Sequence, residues 1–388
     1  MELWGEYIGD IVEQNGNVVC IVKLMNKLQK KFNKDSLVDA VKSGQLQLTN
    51  VVITEFGEIV RVDRIKRSAS IGEPYGYEKC VGGILGAIIG DAMGVPYEFH
   101  DKDSIPEAEY IGTEVIGGFQ RSYSNIPLGT WSDDSSGILC LIKTLVECGK
   151  VDQDYLMKQL YNWARCGEWA VDNHVFDIGN QTGRAINAYS NGCPAKDCGK
   201  VVPDGKGNGA LMRVLPVAIY YRGNREAIIK AAHNQSVVTH GNIDNGICCA
   251  LYCLVANELL AGRGIREAID TGINYLDGFY KQHDKFHAAF EKMGFKPHKN
   301  FIGQGTGYVL DSLNTAFMIL LDSAGYEDCI KAAIKLGEDA DTTACIVGGL
   351  AGIYYSIADI PEEWQRGWLR EYDVALAMAE KLYLVSEN

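Results

Sequence analysis

Apolar residues recur at helical spacing through most of this chain from Glu78 onward. A spacing of three and four residues places apolar side chains on one helix face, so each such stretch predicts a helix that packs on a core. Examples are Ile138–Glu147, Tyr155–Cys166, Gly246–Ala261, Leu310–Leu321, Cys329–Leu336 and Ala344–Ser356. The pattern predicts a large, mainly α-helical domain over residues 78–388, with glycine-rich loops between its helices.

Residues 1–65 show a mixed pattern. Two segments have helical spacing and two have strand character; they are Val19–Phe32 and Ser36–Lys42, then Leu46–Thr54 and Glu58–Arg64. We therefore expect a small α+β accessory domain here. Residues 66–77 are polar, contain Gly and Pro and lack periodicity, which predicts a linker.

The charge of the chain limits its partners. The formal net charge is -13, and residues 1–75 carry ten basic and ten acidic side chains, so the excess acid lies after them. A strongly acidic protein repels nucleic-acid phosphates and anionic membranes, which argues against either as the main partner.

The cysteines and the N-terminus indicate a compartment. The twelve cysteines are scattered, form no Cys-x-x-Cys pair and often lie in apolar helical patterns, which is typical of buried thiols. The first residues lack a basic-then-apolar signal peptide, so we expect a reducing cytoplasm. The apolar run Val81–Val95 is interrupted by Asp91, and no membrane span is predicted.

Two predicted helix starts combine acids with a hydroxyl. They are Ser132-Asp133-Asp134 and Asp339-Ala340-Asp341-Thr342. Either motif alone is better interpreted as a helix cap. If the two converge, four carboxylates and two hydroxyls form a set of hard oxygen ligands, and their mutual repulsion would require divalent cations.

Other motifs have both a structural and a functional interpretation. Glu98 follows a helix whose glycines recur every four residues and favour close helix packing; alone, Glu98 is a solvated carboxylate. Asp177 and Asn180 flank a glycine and form either a turn or part of a site. The segment Gly207–Arg213 is a flexible loop or a backbone N–H cradle for an anion. His240 and the glycine loop before Tyr308 are likewise structural or ligand-binding.

Taken together and in chain order, these motifs resemble the ADP-ribosylglycohydrolase family over roughly Lys79–Tyr383. The resemblance is carried by Gly90-Asp91-Ala92-Met93-Gly94 with Glu98, Trp131-Ser132-Asp133-Asp134, Asn208-Gly209-Ala210-Leu211-Met212-Arg213, Thr239-His240 and Asp339-Ala340-Asp341-Thr342. It implies an all-α orthogonal helical bundle with two Mg²⁺ or Mn²⁺ ions in a cleft that binds ADP-ribose. Residues 1–65 lie outside it.

The resemblance also implies roles for individual residues. The implied metal ligands are Ser132, Asp133, Asp134, Asp339, Asp341 and Thr342. The implied catalytic residues are Glu98, Asp177 and Asp341. The implied substrate-binding residues are Asn180, Gly207, Asn208, Gly209, His240, Gly307 and Tyr308.

The segment Asp177-Ile178-Gly179-Asn180 resembles the arginine-directed bacterial branch of the family. The expected reaction is therefore removal of ADP-ribose from an ADP-ribosylated protein, at the N-glycosidic bond to arginine. Two alternatives stay open. One is hydrolysis of another ADP-ribose linkage (serine O-linked, small molecule or nucleic-acid base), and the other is a catalytically inactive homologue that binds ADP-ribose. The N-terminal domain could dock an unknown partner.

Overall fold

This computed structural model describes residues 74–386 with their side chains, together with the backbone of strands between residues 7 and 61. The chain divides into two compact units, Met1–Ile71 and Gly72–Asn388. The division lies inside the segment 66–77 that was expected to be a linker.

The described part of the first unit consists of short β-strands. They are β1 (Tyr7–Gln14), β2 (Asn17–Leu24), β3 (Gln29–Phe32), β4 (Leu48–Thr49), β5 (Val51–Ile53) and β6 (Ile59–Arg61). One sheet has the order β3-β2-β1-β4, in which only the β1–β4 pairing is parallel. A separate antiparallel pair joins β5 to β6.

The predicted helix over Val19–Phe32 is wrong, because β2 and β3 occupy most of that segment. Its β-branched valines and isoleucine are stiff at χ1 and favour an extended backbone, and this preference outweighs the helical spacing. Within the predicted strand pair, Val52 of β5 lies opposite Val60 of β6. The predicted helix Ser36–Lys42 lies outside the described residues, so the helical part of this domain stays a prediction.

The second unit is mainly helical, as predicted. Its helices are α1 (Tyr77–Gly94), α2 (Asp133–Cys148), α3 (Gln153–Cys166), α4 (Asn180–Ser190), α5 (Ala195–Cys198), α6 (Leu215–Tyr220), α7 (Arg225–Ser236), α8 (Ile243–Leu260), α9 (Ile265–Tyr280), α10 (Asp284–Met293), α11 (Val309–Asp322), α12 (Tyr326–Ile334), α13 (Ala340–Tyr354) and α14 (Tyr372–Val385). The apolar stretches named above fall in or overlap α2, α3, α8, α11, α12 and α13. Gly149 and Gly167, both at positive φ, end α2 and α3.

Helices α1 and α13 pack against each other through glycines. A Cβ atom at Gly86 would lie 2.5 Å from the carbonyl oxygen of Gly348, and one at Gly90 would lie 2.2 Å from that of Ala344. At the end of α1, a Cβ at Gly94 would lie 2.3 Å from the Cα of Asp341. The two backbones therefore touch, and this antiparallel contact places the end of α1 beside the acidic start of α13.

Helices α1 and α8 are, among the described residues, long and apolar enough to cross a membrane by composition alone. The apolar window that begins in α1 is 100% buried and that of α8 is 89% buried inside this unit. Their apolar composition is thus accounted for by their position in the protein core.

Gly90→Ala is expected to lower the free energy of unfolding by about 3 kcal/mol, because its methyl group would overlap the α13 backbone, which cannot shift without separating the helices. Denaturant unfolding measures the change. The matched control is Gly278→Ala in α9, where nothing lies within 4 Å of an added Cβ. That control should gain about 0.5–1 kcal/mol. Equal stability of the two variants would contradict the glycine-packing account.

Candidate active site

The start of α2 is held from outside by Asp91 of α1. The Asp91 carboxylate is 0% exposed and accepts hydrogen bonds from the backbone N–H groups of Ser132 and Ser135, each at 3.0 Å for the nearer oxygen. Burial raises the pKa of Asp91 to about 6. Because Asp91 satisfies these N–H groups, the carboxylates of Asp133 and Asp134 are not needed for capping.

Asp91 was not predicted as a site residue, although its motif was noted. The signal that could have found it is a lone carboxylate inside an otherwise apolar and buried helix, since such a group needs a specific partner.

The two acid-plus-hydroxyl helix starts meet. The hydroxyls of Ser132 and Thr342 both donate to Oδ2 of Asp134, at 3.1 and 3.2 Å. Asp341 accepts from the backbone N–H of Thr342 at 2.8 Å. Asp339 accepts from the side-chain amide of Asn208 at 2.7 Å, which ties the Asn208 loop to the start of α13. The starts of α2 and α13 therefore form one buried cluster.

The cluster is rich in carboxylate oxygens without partners. Ligand oxygens of Asp91, Asp134 and Asp341 lie within 4.8 Å of one another, and so do those of Glu98, Asp339 and Asp341. Buried oxygens of Asp134 (Oδ1), Asp341 (Oδ2) and Glu98 (Oε2) have no hydrogen-bond partner. Hard, negatively charged oxygen donors of this kind fit a divalent cation such as Mg²⁺.

Burial and repulsion raise the pKa values in the cluster. Burial, followed by the charge of Asp177, raises the pKa of Glu98 to about 9 and that of Asp133 to about 8. Burial and neighbouring carboxylates raise the pKa of Asp134 and of Asp341 well above the ordinary value for aspartate. Without cations, these groups resist ionisation together.

Two backbone hydrogen bonds and two strained residues fix the segment that follows Glu98 against the start of α13. The N–H of Phe99 donates to the carbonyl of Glu338 at 2.7 Å, and the N–H of Glu338 donates to that of His100 at 2.7 Å. Phe99 and Glu338 have left-handed φ values of 59° and 52°. Non-glycine residues hold such conformations only where the surroundings over-determine them, which is common at functional sites.

Tyr123 is a neighbour of this acid that sequence reasoning missed. It lies close enough to the Glu98 side chain to lower the pKa of that carboxyl, and its ring lies edge-on to Phe176, with 4.9 Å between the ring centres. Tyr123 lies in a loop without periodicity, so the sequence alone contains no signal for it.

The loop before α4 also reaches the cluster. The N–H of Gly179 donates to Oδ2 of Asp133 at 3.0 Å. The charge of Asp177 raises the pKa of Glu98, Asp133 and Asp339, so this carboxylate faces the others. Burial also raises the pKa of Asp177 itself.

A cavity of about 540 Å³ opens above the acids, within the usual range for a small-molecule site. The predicted site residues that line it are Glu98, Asp133, Asp177, Asn180, Gly207, Asn208, Gly209, His240, Gly307, Asp339 and Thr342. Glu338 is a further carboxylate in this lining, and no described Lys or Arg contributes to it.

The remaining predicted residues lie outside the lining. Ser132, Asp134 and Asp341 are buried beneath it. Tyr308 is 40% exposed and pairs with Gly207 as an isolated bridge, near the charges of Lys206 and Asp244. A role of Tyr308 beside the ribose or adenine stays a prediction.

A mainly helical unit whose two acid-bearing helix starts meet beneath a small-molecule cleft is an arrangement suited to a hydrolase. The family model described as ADP-ribosylglycohydrolase matches residues 73–388, and the chain belongs to this family. The predicted resemblance and the prediction of a hydrolase are thereby confirmed.

Several relatives resemble the chain at moderate identity. It is 31% identical to the ADP-ribosylarginine hydrolase Tri1 of Pseudomonas putida, over 77% of this chain and 76% of that protein. It is 28% identical to the ADP-ribosylarginine hydrolase Tri1 of Serratia proteamaculans, over 82% of each chain. It is 26% identical to the ADP-ribosyl-[dinitrogen reductase] glycohydrolase of Rhodospirillum rubrum, over 79% of this chain and 98% of that protein.

A solved structure described as an ADP-ribosylglycohydrolase-related protein complex is also similar. Its TM-score is 0.62 at 28% identity, and the similarity covers 80% of this chain and 98% of that chain.

Proposed function

We propose that this protein is a divalent-metal-dependent hydrolase that removes ADP-ribose from arginine side chains of a protein. The observation that carries the proposal is the convergence of Glu98 and Asp177 with both acid-bearing helix starts on one cleft. The names of two relatives, which describe hydrolases of ADP-ribosylarginine, support the same linkage.

The donor set fits two Mg²⁺ or Mn²⁺ ions. Two buried carboxylate oxygens, Oδ1 of Asp134 and Oδ2 of Asp341, have no hydrogen-bond partner and are available to a cation. The residues that would hold the ions are Ser132, Asp133, Asp134, Asp339, Asp341 and Thr342. When bound, the cations would supply Lewis acidity and would neutralise the repulsion among these carboxylates.

Glu98 and Asp177 are the proposed proton carriers. Glu98 is 5% exposed, and the backbone hydrogen bonds between Phe99 and Glu338 beside it define its position. Asp177 is less buried and reaches the same cluster from a separate loop. One carboxylate would accept a proton from the attacking water, and the other would keep the departing guanidine protonated.

The charge of the cleft supports a cationic acceptor. Glu98, Asp177 and Glu338 all line the cavity, and no described Lys or Arg side chain does. A guanidinium group is a planar cation that carboxylates bind with charge-assisted hydrogen bonds. A serine acceptor offers no such charge, so this environment favours arginine adducts.

The linkage is tested by incubating the protein with arginine-, serine- and glutamate-linked ADP-ribosyl peptides, with Mg²⁺, with Mn²⁺ and with chelator, followed by mass spectrometry. We expect ADP-ribose release from the arginine adduct only when a divalent cation is present. Cleavage of the serine adduct with an untouched arginine adduct would reject the proposed linkage.

Asp177→Asn is expected to lower kcat on the arginine adduct by about a hundredfold, the usual loss when a proton-transfer group is removed. The substitution keeps the size of the side chain and removes its ability to carry a proton. Steady-state kinetics measures the effect, with Asp154→Asn, an exposed aspartate in the first turn of α3, as the control. Full activity of Asp177→Asn would remove the argument for an arginine-directed site.

Two further expectations stay predictions. A cytoplasmic location agrees with the free cysteines among the described residues. Docking of a partner by the N-terminal unit has no further support.

A further inference from the structure

Arg213 is a buried cation without an ionic partner. The residue is 1% exposed. Its guanidinium donates to Gln235 Oε1 at 3.0 Å, to the Gln235 carbonyl at 3.0 Å, to the Gly209 carbonyl at 2.8 Å and to Thr239 Oγ1 at 2.8 Å. All of these acceptors are neutral, and none of the ion pairs within the described residues includes Arg213. Burial lowers the pKa of Arg213 to about 10, and the charge of Asp133 favours the charged form from a distance. A planar guanidinium with four such hydrogen bonds holds its acceptors in fixed orientations.

The hydroxyl of Thr239 contacts both Arg213 and His240 and so connects the two side chains. Thr239 is 0% exposed, and its Oγ1 lies 2.8 Å from Nδ1 of His240. Because an arginine can only donate, Thr239 accepts from it and keeps its own O–H for donation. Within residues 74–386, Nδ1 of His240 is the only acceptor found for that O–H. Nδ1 is therefore the acceptor, and the ring proton is on Nε2.

The Nε2 side of His240 faces the glycine loop of the cavity. Positions that Cβ atoms would occupy at Gly207 and Gly209 lie 3.5 and 3.2 Å from Nε2, and all three residues line the cavity. Burial and the charge of Arg213 lower the pKa of His240 well below its ordinary value. The ring is thus neutral and still offers one N–H donor to a ligand.

We propose that Arg213 is a positioning residue that locks His240 in the Nε2–H form through Thr239, and that this N–H donates to an anionic acceptor of the ligand at this wall. The inference rests on the proposed function, in which the anionic part of the ligand is the diphosphate of ADP-ribose. The lining of the cleft then offers carboxylates for cations, from Asp133 and Asp339, and a neutral N–H donor for an anionic acceptor, from His240.

The test compares Thr239→Val with Thr239→Ser in the full chain. Long-range ¹H–¹⁵N NMR should show the Nε2–H form of His240 in the wild type, loss of that single form in Thr239→Val and its return in Thr239→Ser. Calorimetry should show ADP-ribose binding weakened about tenfold in Thr239→Val, the value of one hydrogen bond to a charged group. Adenosine lacks the diphosphate and so cannot accept this hydrogen bond. Its affinity should change by less than about twofold in Thr239→Val.

Thr144→Val is the matched control, because Thr144 is equally buried and its hydroxyl donates to the Cys140 carbonyl inside α2. It should leave both the His240 signals and ADP-ribose affinity unchanged. Arg213→Lys, which keeps the charge but not the planar fork, should disturb the His240 form while retaining more ADP-ribose affinity than Arg213→Met.

Several outcomes would overturn the inference. They are a wild-type proton on Nδ1, a His240 that titrates like a free imidazole, and a Thr239→Val variant that binds ADP-ribose normally or loses adenosine equally. The NMR and binding experiments do not depend on catalysis. Failure to cleave arginine adducts would therefore contradict the proposed linkage, but not the positioning of His240 by Arg213 and Thr239.

Discussion

Asp341→Asn is expected to lower turnover of an ADP-ribosylated substrate by at least about a thousandfold, because the proposed cation at this site would contribute several kcal/mol to transition-state stabilisation. Asp341 is the one residue shared by both carboxylate groups of the cluster, and its Oδ2 is buried without a partner. An amide at this position replaces a charged ligand oxygen with a neutral one. Kinetics with saturating Mg²⁺ or Mn²⁺ measures the loss.

The same substitution should not unfold the protein. Replacing one of several buried, mutually repelling carboxylates removes electrostatic strain, so the metal-free variant should have a Tm equal to or above that of the wild type. Asp322→Asn, an exposed position at the end of α11, is the control and should keep full activity. Retained turnover in Asp341→Asn would reject the carboxylate cluster as the catalytic metal site.

Removal of divalent cations is expected to abolish turnover and to make stability fall as pH rises. The folded, metal-free protein raises the pKa of Asp91 to about 6, of Asp133 to about 8 and of Glu98 to about 9. An unfolded chain titrates these groups near pH 4 (about 3.9 for Asp and 4.3 for Glu). The contribution of these protonated carboxyl groups to the free energy of unfolding is therefore fully present below about pH 4. It is lost as the pH rises through their pKa values in the folded protein.

The slope is about 1.4 kcal/mol per pH unit for each group between its two pKa values. Bound cations remove the repulsion, so the Tm difference between Mg²⁺-loaded and chelated protein should widen from pH 5 to pH 9. Thermal unfolding across that range measures it. Sodium chloride at matched ionic strength is the control and should not restore the Tm. A difference that is constant with pH would mean that the cations bind elsewhere.

The sequence was most informative where neighbouring residues carry the signal. Apolar spacing located α2, α3, α8, α11, α12 and α13, and the hydroxyls and acids at Ser132 and Thr342 marked helix starts. The failure over Val19–Phe32 shows the limit of the method, since a short β-branched run satisfies helical spacing and strand preference at once.

Other parts of the site could not be predicted from the chain. Asp91 and Tyr123 both act on residues far away in sequence. Asp91, for example, lies 41 positions before Ser132, from which it accepts a hydrogen bond. The sequence contains an indirect signal for Asp91, which is a charged residue within an apolar helix. It contains no signal for Tyr123. The orientation of His240 likewise depends on Arg213, which a pattern of residue types does not reveal.

By itself the sequence determined a large helical domain, its family, and two acid-plus-hydroxyl helix starts, because helical periodicity and capping depend on residues within one or two turns. Only the tertiary structure decided that these starts form one cluster, since Thr342 reaches Asp134 across 208 positions of the chain. The physical reason is the glycine contact of α1 with α13, which removes side chains between two backbones and so brings Glu98 and Asp341 to the same buried place.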